Sequence, residues 1–140
     1  MREILFVLRL LQLYGHAAHN FCARVSFHAD HAYFEEIYKQ AEIDFDNVLE
    51  RMIGLMGEEE TGYDQLHTEV ALVLDKLPII NVKDNSIYYE QIKSIEEDLC
   101  RTIALKLSRG TTPGVEQLLG DICNRSEERL YKIGRRLKGK

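Results

Sequence analysis

The sequence predicts an all-α protein built as a four-helix bundle. Its 140 residues suffice for a single domain, residues 1–140, with a sizeable buried core. Apolar residues recur at steps of three and four over long stretches, and the chain holds only two prolines. This periodicity is typical of long amphipathic helices and does not fit a sheet of many short strands.

The first two helices are predicted over residues 3 to about 25 and 30 to about 55, where Gly57 ends the second. The apolar face of the first comprises Ile4, Leu5, Leu8, Leu11, Ala18, Cys22 and Val25. The apolar face of the second comprises Phe34, Ile37, Tyr38, Ala41, Phe45, Val48, Met52 and Leu55.

A long connection follows, and its middle, residues 63–77, is predicted as a short amphipathic helix ended by Pro78. The third long helix begins at Ser86, and the fourth runs from the Thr112-Pro113 cap to about Leu137. Their apolar faces comprise Ile87, Ile92, Ile95, Leu99, Ile103 and Leu107, then Val115, Leu118, Leu119, Ile122, Leu130 and Ile133. The connection lets the second and third long helices run parallel, as in a ferritin-like crossover.

Composition narrows the functional classes. A net charge of −5 argues against a surface devoted to nucleic acid and suits a protein that attracts cations. The apolar run at the start of the chain is interrupted by Arg9, Gln12 and His16, so neither a signal peptide nor a membrane span is expected. An odd number of cysteines without a CxxC pair indicates a reducing, cytoplasmic setting and three mostly buried thiols: Cys22, Cys100 and Cys123.

One face of the second helix carries a histidine and four carboxylates, starting in the segment HADHAYFEE at residues 28–36. With His31 at zero and about 100° per residue, Glu42 lies near 20°, Glu35 near 40°, Asp46 near 60° and Glu50 near 100°. Such a row repels itself unless cations compensate it. It is either a solvated acidic face or part of a metal site.

The spacing of these groups argues for a site shared between two chains. Di-iron sites inside one bundle use Glu-x-x-His pairs. This sequence has no such pair, and the nearest segment is Asp64-Gln-Leu-His67, so a di-iron site inside one bundle is not expected. Along the helix, the His31/Glu35 pair lies roughly 22 Å from the Asp46/Glu50 pair. If two copies pack antiparallel about a two-fold axis near residue 40, each pair meets the other pair of its mate, which makes two identical sites.

At this point the residues resemble a known family. The segment AHNFCARVSFHADHAYFEEIYKQAEIDFDNVLER is similar to the ferroxidase motif of Dps, the mini-ferritin family (DNA-binding protein from starved cells). That motif has two histidines followed by Asp, Asp and Glu at fixed intervals. Every interval is reproduced, with Glu replacing the first Asp, by His19, His31, Glu35, Asp46 and Glu50.

A rival register pairs His16 with His28, which are the same distance apart. It would place Ala32, Ile43 and Asn47 at the three carboxylate positions. None of these can replace an acid, so the register of His19 and His31 is preferred.

The resemblance implies an enzyme, a ferroxidase with those five residues as its catalytic and metal-binding set. Fe(II) would be oxidised to Fe(III), with hydrogen peroxide as the expected oxidant, and stored as ferric mineral. It also implies a homo-oligomer, a dodecameric shell built from two-fold dimers, that protects DNA from oxidative damage. The family usually has Trp after the first histidine, where this chain has Asn20, so Tyr33 and Tyr38 are candidate replacements.

Two further features have open interpretations. The basic residues of the C-terminus either complement the helix dipole or bind DNA: Arg129, Lys132, Arg135, Arg136, Lys138 and Lys140. In the family, acidic residues near the start of the last helix line iron-entry pores, and Glu116 and Asp121 lie there. The alternatives to a ferroxidase are a non-catalytic ferritin-like or DNA-compacting protein with a vestigial or other-metal site, and an unrelated helical adaptor.

Overall fold

The computed structural model describes residues 1–139 and confirms the all-α prediction. Over that range it contains helices and no strand. The five α-helices are α1 (Arg2–Phe21), α2 (Phe27–Met56), α3 (Tyr63–Leu74), α4 (Ser86–Ser108) and α5 (Pro113–Lys138), with a 3₁₀ helix at Glu58–Thr61. None of these helices is both long and apolar enough to cross a membrane.

The long helices pack side by side around one core. Helix α1 packs against α2, α3 and α4, while α5 packs against α4 and part of α2. The predicted apolar faces point inward along most of their length, and the fully buried members include Leu8, Leu11, Phe34, Phe45, Ile92, Leu99, Leu119 and Ile122.

Several predicted boundaries were wrong. Helix α1 ends at Phe21 and α2 already begins at Phe27, because Cys22 takes an extended backbone and Arg24 has a left-handed φ of 75°. Val25, expected in the core, is therefore fully exposed in the turn. Leu55 is exposed as well. Helix α2 has 30 residues and its end extends beyond the 20-residue α1 that packs against it.

The connection from α3 to α4 is held by two tyrosines of the core. The Tyr14 hydroxyl donates to the carbonyl of Pro78 at 2.7 Å, and the Tyr88 hydroxyl donates to the carbonyl of Ile79. Burial raises the pKa of Tyr14, so its hydroxyl stays a donor. These two hydrogen bonds hold the connection against both α1 and α4. Helix α3 itself ends at Leu74, three residues before the predicted limit.

A buried carboxylate, Asp30, joins three helices at one end of the protein. It accepts hydrogen bonds from Ser26 at 2.6 Å, Tyr89 at 2.7 Å, Asn85 at 2.8 Å and Arg136 at 3.1 Å. Burial by itself would raise the pKa of Asp30, but Arg136 and the three neutral donors outweigh it and hold that pKa below its ordinary value. Asp30 therefore stays ionised inside the protein.

The same cluster fixes the turn between α1 and α2. The Asn85 side chain accepts from the backbone N–H of Ala23 at 3.1 Å and donates to the carbonyl of Ala23 at 2.7 Å. This pairing satisfies both backbone polar groups of Ala23. The turn is thus bound to the start of α4, far away in the sequence.

Two more buried carboxylates pair with α5. Glu96 accepts from Arg129 at 2.9 Å and from Ser126 at 2.7 Å. Asp44 accepts from Arg125 at 2.7 Å, and both carboxylates are fully buried. Burial would lower the pKa of Arg129, but its hydrogen bond with Glu96 raises it, so Arg129 stays charged. Three arginines of α5 therefore bind three carboxylates of α2 and α4.

We expect Asp30→Asn to destabilise the fold by about 3 kcal/mol, because Arg136 loses its buried counter-charge. Urea denaturation followed by circular dichroism measures this free energy of unfolding. The matched control is Asp98→Asn, which removes an exposed ion pair with Arg101 and should cost less than about 1 kcal/mol. Equal losses in the two variants would contradict the role assigned to Asp30.

The same variant should change the pH dependence of stability. Because the folded pKa of Asp30 lies below its ordinary value, the stabilisation is fully present above that value and is lost as pH falls through the folded pKa. We expect the difference between the wild type and Asp30→Asn to shrink as pH falls from about 5 to about 2. Parallel curves over that range would exclude Asp30 as the titrating group.

Candidate metal centre

Two of the predicted ligands, His19 and His31, lie against each other. His19 lies in the last turn of α1 and His31 near the start of α2, and their rings stack with centroids 3.7 Å apart and planes 21° apart. The Nδ1 atom of His19 lies 2.9 Å from the carbonyl oxygen of His31, and the Nδ1 atom of His31 lies 2.8 Å from the carbonyl oxygen of His19. Each histidine thus binds the backbone of the other.

These reciprocal hydrogen bonds define the tautomer of both rings. A carbonyl oxygen can only accept, so Nδ1 carries a proton in each histidine. In the neutral form, Nε2 then carries the lone pair. A metal-binding histidine needs this arrangement, in which the second ring nitrogen donates to a carbonyl and orients the ring.

Aromatic side chains extend the stacked pair on both sides. Phe27 stacks on His31 with centroids 4.8 Å apart, and Tyr38 lies against His19 at 5.3 Å. His16 stacks on Tyr38 at 4.1 Å, and its ring centroid lies 6.1 Å from that of His19. Each histidine of the pair therefore has a further aromatic neighbour besides the other histidine.

The two tyrosines considered as replacements for Trp lie in different places. Tyr38 contacts His19, whereas Tyr33 stacks on Tyr89 at 6.3 Å. Burial raises the pKa of Tyr33 to about 12, and its hydroxyl has no hydrogen-bond partner within residues 1–139. Of the two, only Tyr38 is beside the histidine pair.

Glu35 lies one helical turn after His31 and is half exposed. Its carboxylate lies 3.3 Å from the ammonium of Lys39, the next residue along the same face. An ion pair this exposed is weak. Lys39 can therefore be displaced from Glu35 by a more strongly bound cation.

Asp46 and Glu50 lie farther along α2 and are exposed. Because α2 is uninterrupted from Phe27 to Met56, they stay roughly 22 Å from His31 and Glu35. Over residues 1–139, no three or more His, Cys, Asp or Glu side chains are grouped so that they could hold a metal ion. One chain brings His19 and His31 together with Glu35 nearby, and a five-residue site remains a prediction about an assembly.

The remaining histidines have other surroundings. The Nδ1–H of His67 donates to the carbonyl of Tyr63 at 2.8 Å, and its Nε2 accepts from Arg9 at 3.0 Å. Both nitrogens of His67 are thus occupied. His16 and His28 are exposed, and their rings contact Tyr38 and Phe27 respectively.

The basic residues of the C-terminus divide into two groups. Arg129 and Arg136 point inward and bind Glu96 and Asp30, so they are unavailable to an external partner. Of these C-terminal cations, three are exposed: Lys132, Arg135 and Lys138. Lys140 lies outside the described residues.

The acidic candidates on α5, Glu116 and Asp121, are exposed and line one shallow groove near the start of that helix.

The sequence interpretation missed the buried carboxylates Asp30, Asp44 and Glu96. A signal for two of them was present, since Asp30 and Asp44 fall near 260° and 220° around α2, within the apolar sector. Asp30 matters to the candidate site because it fixes the turn that joins the helices of His19 and His31.

Comparison with protein-family models, with curated proteins and with solved structures finds no match for this chain.

We expect nitrogen-15 NMR at about pH 8 to show Nδ1 protonated and Nε2 unprotonated in both His19 and His31. The exposed His28 is the internal control, because a free imidazole favours the tautomer protonated at Nε2. An Nε2–H tautomer in either His19 or His31 would contradict the reciprocal hydrogen bonds.

Proposed function

We propose that this chain is a ferroxidase of Dps type that oxidises Fe(II) at a site shared between two subunits. The observation that carries the proposal is the pair His19 and His31, whose Nδ1 atoms are bound to backbone carbonyls and whose Nε2 atoms are free to bind a metal. This pair lies at the edge of the acidic face of α2.

The packing of the helices supports a ferritin-like four-helix bundle as the fold. Helix α1 has α2 and α4 as neighbours, and α5 has α4 and α2, so the four long helices form a closed square. Helix α3 lies in the connection between α2 and α4 and packs on α1. This is the arrangement of a bundle whose second and third long helices are joined by a crossover.

A second copy would complete the site. In an antiparallel α2–α2 pair with its two-fold axis near residue 40, His31 and Glu35 of one chain approach Asp46 and Glu50 of its mate. Asp46 and Glu50 are exposed and Glu35 is partly exposed, so the chain itself does not obstruct this packing. Each of the two sites then holds two imidazole nitrogens and three carboxylates.

This donor set suits ferrous iron and its oxidised product. Fe(II) accepts neutral imidazole together with carboxylate oxygens, and added carboxylates favour the ferric ion. Hydrogen peroxide takes two electrons, one from each of two Fe(II) ions, and two protons to give two waters. Glu35 would exchange Lys39 for the iron. The protein's role is to bind and place the metal, and its net charge of −5 attracts the cation.

The wider proposal follows from the same resemblance. The two-fold dimers would assemble into a dodecameric shell in the cytoplasm, take up iron past Glu116 and Asp121, and store it as ferric mineral. Removing Fe(II) and peroxide together would protect DNA from oxidative damage.

One observation favours the non-catalytic alternative. Glu35 stands where the motif has Asp, and in the single chain its carboxylate is paired with Lys39. If that ion pair persists in the assembly, the site is vestigial or holds a different metal. A direct measurement of iron binding separates the two proposals.

We expect an anaerobic titration to saturate at one or two Fe(II) per chain, followed by rapid ferric absorbance after a peroxide pulse. Asp46→Ala should lose tight binding and at least about 100-fold in oxidation rate, because it removes an oxygen ligand. The control Glu97→Ala removes an exposed carboxylate of α4 and should leave both unchanged. No binding above buffer in the wild type would favour the vestigial site.

Mixing two inactive variants tests the shared geometry. In a dimer of His31→Ala with Asp46→Ala, one site carries both changes and the other carries neither. Random reassembly from equal amounts should therefore restore about one quarter of the sites. The control mixes the double variant, His31→Ala with Asp46→Ala in one chain, with the wild type. In each mixed dimer, both sites then carry one change. No recovery after verified subunit exchange would contradict a two-chain site.

A separate prediction concerns DNA. Neutralising Lys132, Arg135 and Lys138 to Gln should weaken a gel shift at least about tenfold at low salt and reduce its salt dependence, because phosphate contacts release counterions. The control neutralises three exposed cations elsewhere, Lys76, Lys83 and Arg109. An equal effect of both triple variants would remove the C-terminal cations from the proposal.

A further inference from the structure

Two free thiols lie on α4 and α5, which pack against each other. Cys100 lies on α4 and Cys123 on α5, and both are partly exposed. The Cys100 thiol donates to the Ser126 hydroxyl at 3.4 Å, one turn from Cys123. Burial raises the pKa of the Cys123 thiol to about 11, and the hydrogen-bonded thiol of Cys100 beside it adds to the rise. Because Ser126 lies one turn after Cys123 on the same helix, its contact with Cys100 places the two thiols side by side where α4 packs on α5.

We propose that Cys100 and Cys123 are an oxidation site at which a peroxide converts the pair into an intramolecular disulfide joining α4 to α5. The two helices already pack against each other, so the thiols need not be brought together by unfolding. Their partial exposure gives a small oxidant access. The proposal does not rest on the proposed ferroxidase, because it needs no iron.

The third cysteine serves as the contrast. Cys22 is buried at the end of α1, and its thiol donates to the carbonyl of His19 at 3.6 Å. It belongs to the turn held by Asn85 and lies on neither α4 nor α5. It should remain a thiol when the pair is oxidised.

The reaction balances with one peroxide per pair. A thiolate attacks one oxygen of the peroxide, the O–O bond breaks, and a sulfenic acid and hydroxide form. The second sulfur then attacks the sulfenic sulfur, the S–S bond forms, and the hydroxyl group leaves as water. Two electrons pass from the sulfurs to the peroxide, and both thiol protons end in the two waters.

The reaction should be faster at alkaline pH. The thiolate is the nucleophile, and a raised pKa keeps the Cys123 thiol protonated at neutral pH. The product closes a loop over residues 100–123 in the unfolded chain, so the oxidised protein should melt several degrees higher than the reduced one.

The experiment uses full-length protein with a metal chelator, so that iron chemistry does not contribute. After treatment with hydrogen peroxide, the protein is unfolded in urea, free thiols are blocked with N-ethylmaleimide and the intact mass is measured. We expect one maleimide per chain, against three before oxidation, and no dimer on a non-reducing gel. Trypsin should release residues 94–101 joined to residues 110–125, and a reductant should separate them.

Three variants and a second oxidant make the result decisive. Cys22→Ala should still form the link, while Cys100→Ser and Cys123→Ser should not. Diamide, which oxidises thiols without transferring oxygen, should give the same linked peptides. Three maleimides after both oxidants, a link through Cys22 or between chains, or sulfinic acid without a link would overturn the proposal. A link with diamide but not with peroxide would overturn the assigned oxidant.

Discussion

The candidate site depends on one interaction, the bidentate ion pair between Arg136 and the buried carboxylate of Asp30. Arg136 reaches both carboxylate oxygens, through Nη2 at 3.1 Å and Nε at 3.3 Å. Together with Asn85, this cluster holds the turn from α1 to α2. His19 precedes that turn and His31 follows it, so its geometry determines whether their rings can stack and exchange hydrogen bonds. The last helix of the chain thus fixes the spacing of residues near its beginning.

The other buried ion pairs explain why α5 has one position along its neighbours. Arg125, Arg129 and Arg136 fall within about 40° of one another around the helix, so they face the core together. Each meets a different carboxylate, and sliding α5 by one turn would leave three buried charges without partners. Such pairs add little net stability over apolar packing, but breaking one is costly. They therefore specify the register of α5 more than they strengthen the core. They also occupy Arg129 and Arg136, so these two C-terminal cations are unavailable to DNA.

The sequence predicted the helices and most of the core because burial follows the helical period, as Leu8, Phe34 and Ile92 show. It failed at the turn over residues 22–26, because that turn is held by Asn85, about sixty residues away, and no local pattern reports such a contact. The sequence showed the spacing of His19 and His31, but their mutual hydrogen bonds could not be predicted from it. Those bonds need the angle between two helices, which tertiary packing sets. The convergence of the five predicted ligands is a property of the proposed dimer and not of a single chain.

The two halves of the candidate site are built differently. The imidazoles of His19 and His31 are held by backbone carbonyls and aromatic neighbours, so their orientation is fixed within the single chain. Asp46 and Glu50 are exposed and free to reorient. In the proposed dimer, the carboxylates of one chain would approach Glu35 of the other, and without a cation their like charges repel. Iron binding and α2–α2 association would therefore be thermodynamically linked: a cation that binds only the dimer favours it by mass action. The two histidines would hold the metal in a fixed geometry, and Asp46 and Glu50 would make assembly of the dimer depend on Fe(II).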